Sequence, residues 1–449
     1  MKKYLHQYAE PGTAVVEGIP ACEPWGRVVV IPVCNESTSI LRPLPPASGR
    51  SLVILVVNET EVAPPHVSVA NQAFASEVLA RFNLKWKSAA EAGLSLFEDP
   101  DSQRDVLLVD RFSEELRFSR KGGVGHARKT GADLAAFLID QQRIRSPWIH
   151  CSDADVVLPQ SYFQASDSIG SEAAKKTAGL IYPFHHDVAA AGVSEKVAQV
   201  TQLYEYALRY YVAGLDYASS PYAFHTIGST LAVNAHHYGK VRGFPRRQAG
   251  EDFYLLNKLA KVGDIRQLVE NVKCGPINIA ARTSDRVPFG TGAAVSRMVE
   301  LEDPFHDYLF YHPSLFDWLR GWLESLPEFW QKQSSDVAAV LTERELDCLI
   351  SPLKEAGAQQ ALEHALRQSS DLDQYLRQMH TWFDAFRTLK FIHYLRDHFT
   401  PSIPFAVLVK EQNIGHFLEH EPVLPSLHTD LHTSLGRQIH LIKGVEDCE

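Results

Sequence analysis

The chain predicts an α/β fold, a mainly parallel sheet sandwiched by helices and followed by a mostly helical region. Three observations carry this. Short apolar runs rich in β-branched residues recur along the first 300 residues. Segments with helical spacing alternate with them. Beyond about residue 300 the strand patterns fade and long amphipathic patterns replace them.

Residues 1–25, with Pro11, Gly12, Gly18, Pro20 and Pro24, read as an irregular arm. Val28 to Val33 and Leu52 to Val57 are unbroken apolar runs, as expected of strands buried on both faces. Residues 69–83 have helical spacing, and Val106 to Val109 is a third strand. Gly122-Gly123-Val124-Gly125 opens a helix from about His126 to Arg143. Trp148 to Ser152 is a fourth strand, Leu180 to Pro183 a fifth and Ser229 to Val233 another. Glu195 to Gly214 and Glu251 to Val262 are expected helices. Later come Leu315 to Trp330, Thr342 to Leu353, Ala358 to Arg367 and one long helix from Leu372 to Phe399; residues 400–449 carry no clear pattern. The expected organisation is an arm over 1–26, an α/β domain over 27–299 and a helical domain over 300–449.

The 449 residues carry a formal charge of -10, with 45% hydrophobic and 22% charged residues, a composition typical of a globular protein. A mildly acidic total argues against general nucleic-acid binding. The six cysteines form no CxxC pair and no zinc spacing, which fits a reducing cytoplasm. Met1 to His6 lacks the apolar stretch of a signal peptide, and no run approaches the roughly 20 apolar residues of a membrane span. A cytoplasmic protein is expected, with surface contact to a membrane left open.

The most informative local feature is Asp153-Ala154-Asp155, which closes the apolar run of the fourth strand. Two carboxylates at a buried strand end repel one another and lose hydration. A divalent ion relieves both costs, and Mg2+ or Mn2+ also bridges phosphates. The alternative is a pair of strand-end caps. In folds of this type ligands sit beyond the carboxyl ends of the strands, and Glu36, Asn58 and the acidic pair all fall at such ends.

Four elements stand in order: Ile31-Pro32-Val33-Cys34-Asn35-Glu36, Gly125-His126-Ala127-Arg128-Lys129-Thr130-Gly131, Asp153-Ala154-Asp155 and Gly250-Glu251-Asp252-Phe253. Together with the turn Arg242-Gly243-Phe244-Pro245 the set resembles the family 2 glycosyltransferases, enzymes of the GT-A fold, over about residues 27–290. The resemblance implies an inverting, hexosyltransferase-like enzyme that uses a UDP- or GDP-type sugar donor with Mn2+ or Mg2+. It implies nucleotide contacts from Pro32, Glu36 and Asn58, and diphosphate contacts from Lys121, Arg128, Arg282 and Arg286. Asp155 would be the direct metal ligand. Asp153 would contact the ribose or an ion-bound water. Asp252 would be the general base, with Glu251 orienting the acceptor or Asp252.

Each residue also has a plainer reading. Glu36 suits a solvated turn, Lys121, Arg128 and Lys129 a basic helix start, and Glu251-Asp252 a helix cap. The glycines at 122, 123 and 125 are not a P-loop, since no Gly-Lys-Ser/Thr ending follows; they would let backbone approach phosphates. His185-His186 and His236-His237 are adjacent and so point apart, which argues against shared ligation. Gln202, Tyr206 and Tyr210 suit either packing or an acceptor surface. No histidine lies between Phe253 and Pro304, which tilts the expectation toward inversion. Rival readings are a nucleotidyltransferase, which should carry a Gly-rich, Lys-containing loop after strand one, and a non-catalytic scaffold. The helical region could complete an acceptor site, form a homodimer or touch a membrane.

Overall fold

The computed structural model describes residues 1–37, 44–45, 49–270, 274–284, 290–341, 343–412 and 414–446. The chain divides into two compact units, Met1–Gly192 with Thr226–Ala294, and Val193–His225 with Val295–Glu449. This differs from a single cut at residue 300. The helix Glu195–Tyr217 buries Leu203, Tyr206 and Tyr210 in the helical core, so an insertion within the α/β sequence belongs to the second unit.

Among the described residues, twelve strands build the sheets of the first unit. In chain order they are β1 Arg27–Val33, β2 Ser51–Asn58, β3 Asn83–Lys87, β4 Leu94–Glu98, β5 Arg104–Arg111, β6 Trp148–Cys151, β7 Val156–Val157, β8 Thr177–Ile181, β9 Phe184–Asp187, β10 Leu231–Asn234, β11 Asp264–Gln267 and β12 Ile277–Ala280. Nine form one sheet in the order β11-β8-β10-β6-β1-β2-β5-β4-β3. β1 pairs in parallel with β2 and β6, and β2 with β5. Relative to β1, the reversed strands are β10, antiparallel to both β6 and β8, and β4, antiparallel to β3 and β5. The expected large, mostly parallel central sheet is therefore present.

Every residue of β1 and β2 is buried, the burial their unbroken apolar runs call for. The helix Val124–Asp140 packs across them, and Gly131 lets it approach: a Cβ there would lie 2.4 Å from Val30. The edge hairpin β3–β4 has no counterpart in the sequence reading. β3 is largely exposed, so no apolar alternation marks it. β7, β12 and β9 make a small second sheet, in that order. The N-terminal segment is anchored as well. Tyr4 donates to Asp133, Lys129 Nζ bonds the same carboxylate at 2.9 Å, and Tyr238 donates to it at 2.7 Å.

The second unit is helical around a core that includes Tyr210, Phe316, Trp322 and Phe383. Gly214 on Glu195–Tyr217 faces the Phe316 ring of Ser314–Lys332, where a Cβ would sit 2.5 Å from it. Arg209 is buried between Glu205 and Glu421. The expected single helix over 372–399 is two, Leu372–Trp382 and Ala385–His398. Asp384 breaks it by capping the second, accepting from the Arg387 amide. Residues beyond 400 hold the helices Phe405–Leu408, Ile414–Leu418 and Leu424–Glu446. Among the described residues no helix is long and apolar enough to cross a membrane.

Candidate active site

The chain passes from β1 to β2 and β5 on one side, then returns through β6 on the other side of β1. That reversal opens a crevice beyond the carboxyl ends of β1 and β6, the position where ligands enter open α/β sheets. Two turns line it. After β1, Asn35 takes a left-handed backbone (φ 54°), a conformation asparagine tolerates, and its amide donates to Asn71 Oδ1 at 3.1 Å. This carries the chain to Glu36. After β6, the Ser152 amide continues the ladder to Val30 O at 3.0 Å, and the chain then crosses to β7 of the small sheet. Asp153-Ala154-Asp155 is that crossing.

Two arginines organise the acidic side chains. Arg128, on the first turns of Val124–Asp140, donates from Nη2 to Asp153 Oδ1 at 2.8 Å and from Nε to Glu251 Oε1 at 2.9 Å. Its Nη1 reaches the carbonyls of Gly228 (3.2 Å) and Ser152 (3.4 Å). Burial opposes its charge. The carboxylates of Asp153 and Glu251 outweigh that effect and hold it protonated, above the ordinary arginine value. Arg282, two residues past β12, donates from Nη2 to Glu36 Oε1 at 2.8 Å and to Asp155 Oδ2 at 2.6 Å, with Nε 3.0 Å from the same Asp155 oxygen. Glu36, Asp153, Asp155, Arg128, Glu251 and Arg282 are thus linked into two adjoining ion clusters.

Gly250 (φ 72°) turns the chain into the helix Glu251–Leu259. Glu251 is buried on Arg128. The next carboxyl, Asp252, accepts from the Phe253 amide at 2.7 Å. Burial, reinforced by the Glu251 charge, pushes Asp252 up to about 7. Asp155 is also raised, by burial and then by the neighbouring Asp153 charge, against which Arg282 acts. Asp153 and Asp155 offer carboxylate oxygens, the donor chemistry a hard divalent ion takes, and Mg2+ usually completes its shell with phosphates and water. The pair therefore fits such an ion as a partial ligand set. Among the described residues no three His, Cys, Asp or Glu side chains are grouped to hold a metal by themselves.

Several other expected contact residues are engaged within the fold. Asn58 is buried, and its amide donates to the carbonyls of Val33 (3.0 Å) and Val56 (3.1 Å), tying β1 to β2. Its amide is spent as a strand clamp. Pro32 is buried inside β1, opposite Val56. Lys121 is exposed on the turn before the helix, and Lys129 is buried in its pair with Asp133. Arg286 lies outside the described residues. The glycines of the 122–125 turn serve packing. A Cβ on Gly123 would lie 2.7 Å from Gln248 Cα, and one on Gly125 2.7 Å from Arg247 O. The close approach they permit is that of the 245–251 loop, which brings Glu251 to Arg128.

The basic stretch before that loop is engaged within the chain. Arg246 pairs with Glu10 (2.6 Å), Arg242 lies 4.5 Å over Tyr8 and Arg247 3.8 Å over Tyr254. His185 and His186 point to different partners, Glu270 (3.0 Å) and Thr291 (3.2 Å). Tyr206 and Tyr210 are core residues. The contacts that sequence reasoning missed are Arg128 to Glu251 and Arg282 to Glu36, spanning 123 and 246 positions. No local spacing signals either pair. Compared with known proteins, the chain matches no protein-family model and no curated protein.

Proposed function

We propose that the chain is a GT-A-type, metal-dependent glycosyltransferase that moves a sugar from a nucleotide-diphosphate donor to an acceptor hydroxyl, with inversion. The observation that carries this is the joining of Glu36, Asp153, Asp155 and Glu251, through Arg128 and Arg282, at the carboxyl ends of β1 and β6. The reversed strand β10, set between β6 and β8, supports the same fold reading.

In this reading Asp155, with Asp153, holds Mn2+ or Mg2+, which when bound supplies positive charge to the departing nucleoside diphosphate. Glu36 and Asp153 orient the nucleotide from opposite turns. Arg282, beside the same carboxylates, would supply positive charge to the diphosphate. Asp252 takes the proton of the acceptor hydroxyl as that oxygen attacks the anomeric carbon. Its elevated value, about 7, places its proton affinity near neutral pH, where a general base works best. Glu251, held by Arg128, raises that value through its charge.

A panel of UDP- and GDP-sugars with Mn2+, read by thermal shift and then by transfer, tests the proposal. A bound donor should raise the unfolding temperature further as its concentration rises above its dissociation constant, and Asp155→Ala should abolish the shift. If every donor fails to bind in the presence of metal, the reading falls.

A further inference from the structure

A second cleft lies at the other end of the sheet. It is lined by Arg27, which begins β1, Trp148, which begins β6, and Asn234, which ends the reversed strand β10. All three therefore sit at the amino-terminal edge of β1 and β6. The seven residues of β1 separate this edge from the acidic crevice, roughly 20 Å at the usual rise per strand residue. The cleft encloses about 890 Å³, a size that accommodates a small organic ligand.

Its lining reverses the sign of the chain. The formal charge of the whole is -10, yet Arg27, Arg145, Lys175 and Lys240 converge here with His236 and His237, against the single carboxylate of Asp167. Asp167 is paired with Arg27, and Lys175 with Glu172 at 2.6 Å. Among the described residues no ion pair engages Arg145 or Lys240. His237 supplies an independent observation. It is 2% exposed, and its Nδ1 has no hydrogen-bond partner among the described residues. A buried polar atom left in this way is unfavourable. The other ring nitrogen, Nε2, lies against Gly263, 2.9 Å from where a Cβ would stand. Burial, then the charges of Lys240 and His236, hold the His237 imidazole below its ordinary value, while Asp264 acts the other way. An anion would relieve the crowding of like charge.

We propose that this cleft binds a phosphorylated small molecule, gripped by Arg145 and Lys240 at the rim, with His236 and His237 on its wall. The site is separate from the acidic crevice and does not depend on the glycosyltransferase reading.

Pyrophosphate, titrated into the full chain by calorimetry with a chelator present, is the test. The chelator removes the divalent ion through which a diphosphate would reach the acidic pair. Saturable binding is expected, weakened at least 10-fold in Arg145→Glu/Lys240→Glu and unchanged in Asp155→Ala. Both rim residues are exposed, and Arg145→Gln/Lys240→Gln repeats the test with a milder change should the first variant unfold at a lower temperature. The ring signals of His237 should move on titration in the parent chain. Absence of saturable binding at millimolar pyrophosphate overturns the proposal. So does binding that survives both rim variants, or binding that is lost in Asp155→Ala.

Discussion

The two halves of the acidic crevice use the same chemistry, an arginine between two carboxylates, in opposite settings. In the inner half Arg128 and Glu251 each keep 3% of their side-chain surface exposed. In the outer half Arg282 keeps 35% and Asp155 24%. The inner arginine is enclosed by Gly228, Asp153 and the 245–251 loop, and it cannot leave without stranding charge. The outer one follows a short strand and is partly open to solvent. The inner pair ties the 245–251 loop to the helix Val124–Asp140, and the outer arginine bridges Glu36 and Asp155 near solvent.

Removing Arg128 should have the largest effect. Arg128→Met leaves Glu251 buried and unpaired, and a broken buried pair costs about 3–5 kcal/mol. Urea unfolding should show that loss, and a change under about 1 kcal/mol would erase the distinction between the two halves. Next comes Asp252→Asn, expected to slow transfer by about 10²–10⁴-fold, the usual worth of a general base, in a direct assay with the donor that the panel identifies. Its stability should move the other way. Folding raises Asp252 from 3.8 to about 7, so the native state holds that proton more tightly than the unfolded chain. Stability therefore falls as pH rises from about 4 to about 7, a penalty on the order of 4 kcal/mol above that window. The asparagine variant should lack the decline, giving a higher unfolding temperature than the parent at pH 8 and little difference at pH 4.

Gly125→Ala probes how the inner half is closed. Its Cβ would meet Arg247 O at 2.7 Å and Pro245 O at 2.9 Å, backbone atoms that cannot turn aside. A loss of about 1–3 kcal/mol is expected, with weakened transfer because Glu251 shifts with the loop; an unchanged unfolding midpoint would mean the loop yields freely. Arg282→Gln should do least to the fold, at most about 1 kcal/mol for an ion pair open to solvent. A larger loss by chemical denaturation would make the outer half structural too.

Much of the first unit was legible because its central strands are buried on both faces. β1, β2, β5 and β6 need continuous apolar residues and therefore announce themselves. The exposed edge strand β3 needs no such run, and only its pairing with β4 reveals it. The break at Asp384 was hidden for a related reason. The apolar spacing from Leu372 to Ile392 runs through it, and one capping hydrogen bond decides between one helix and two.

The candidate site divides in the same way. Sequence alone determined where the acids stand: Glu36 past the first strand, Asp153 and Asp155 past the fourth, Glu251 and Asp252 at a helix start. Those positions follow from local patterns, a strand ending or a helix beginning. Tertiary structure decided how their charge is shared. Arg128 passed from a candidate phosphate ligand to the buried partner of Glu251 and Asp153, Asn58 from a nucleotide contact to a clamp between strands, and the glycines at 123 and 125 from phosphate approach to loop packing. Each of these depends on which distant segment arrives beside a residue, and that is set by the order of strands in the sheet and the burial it imposes.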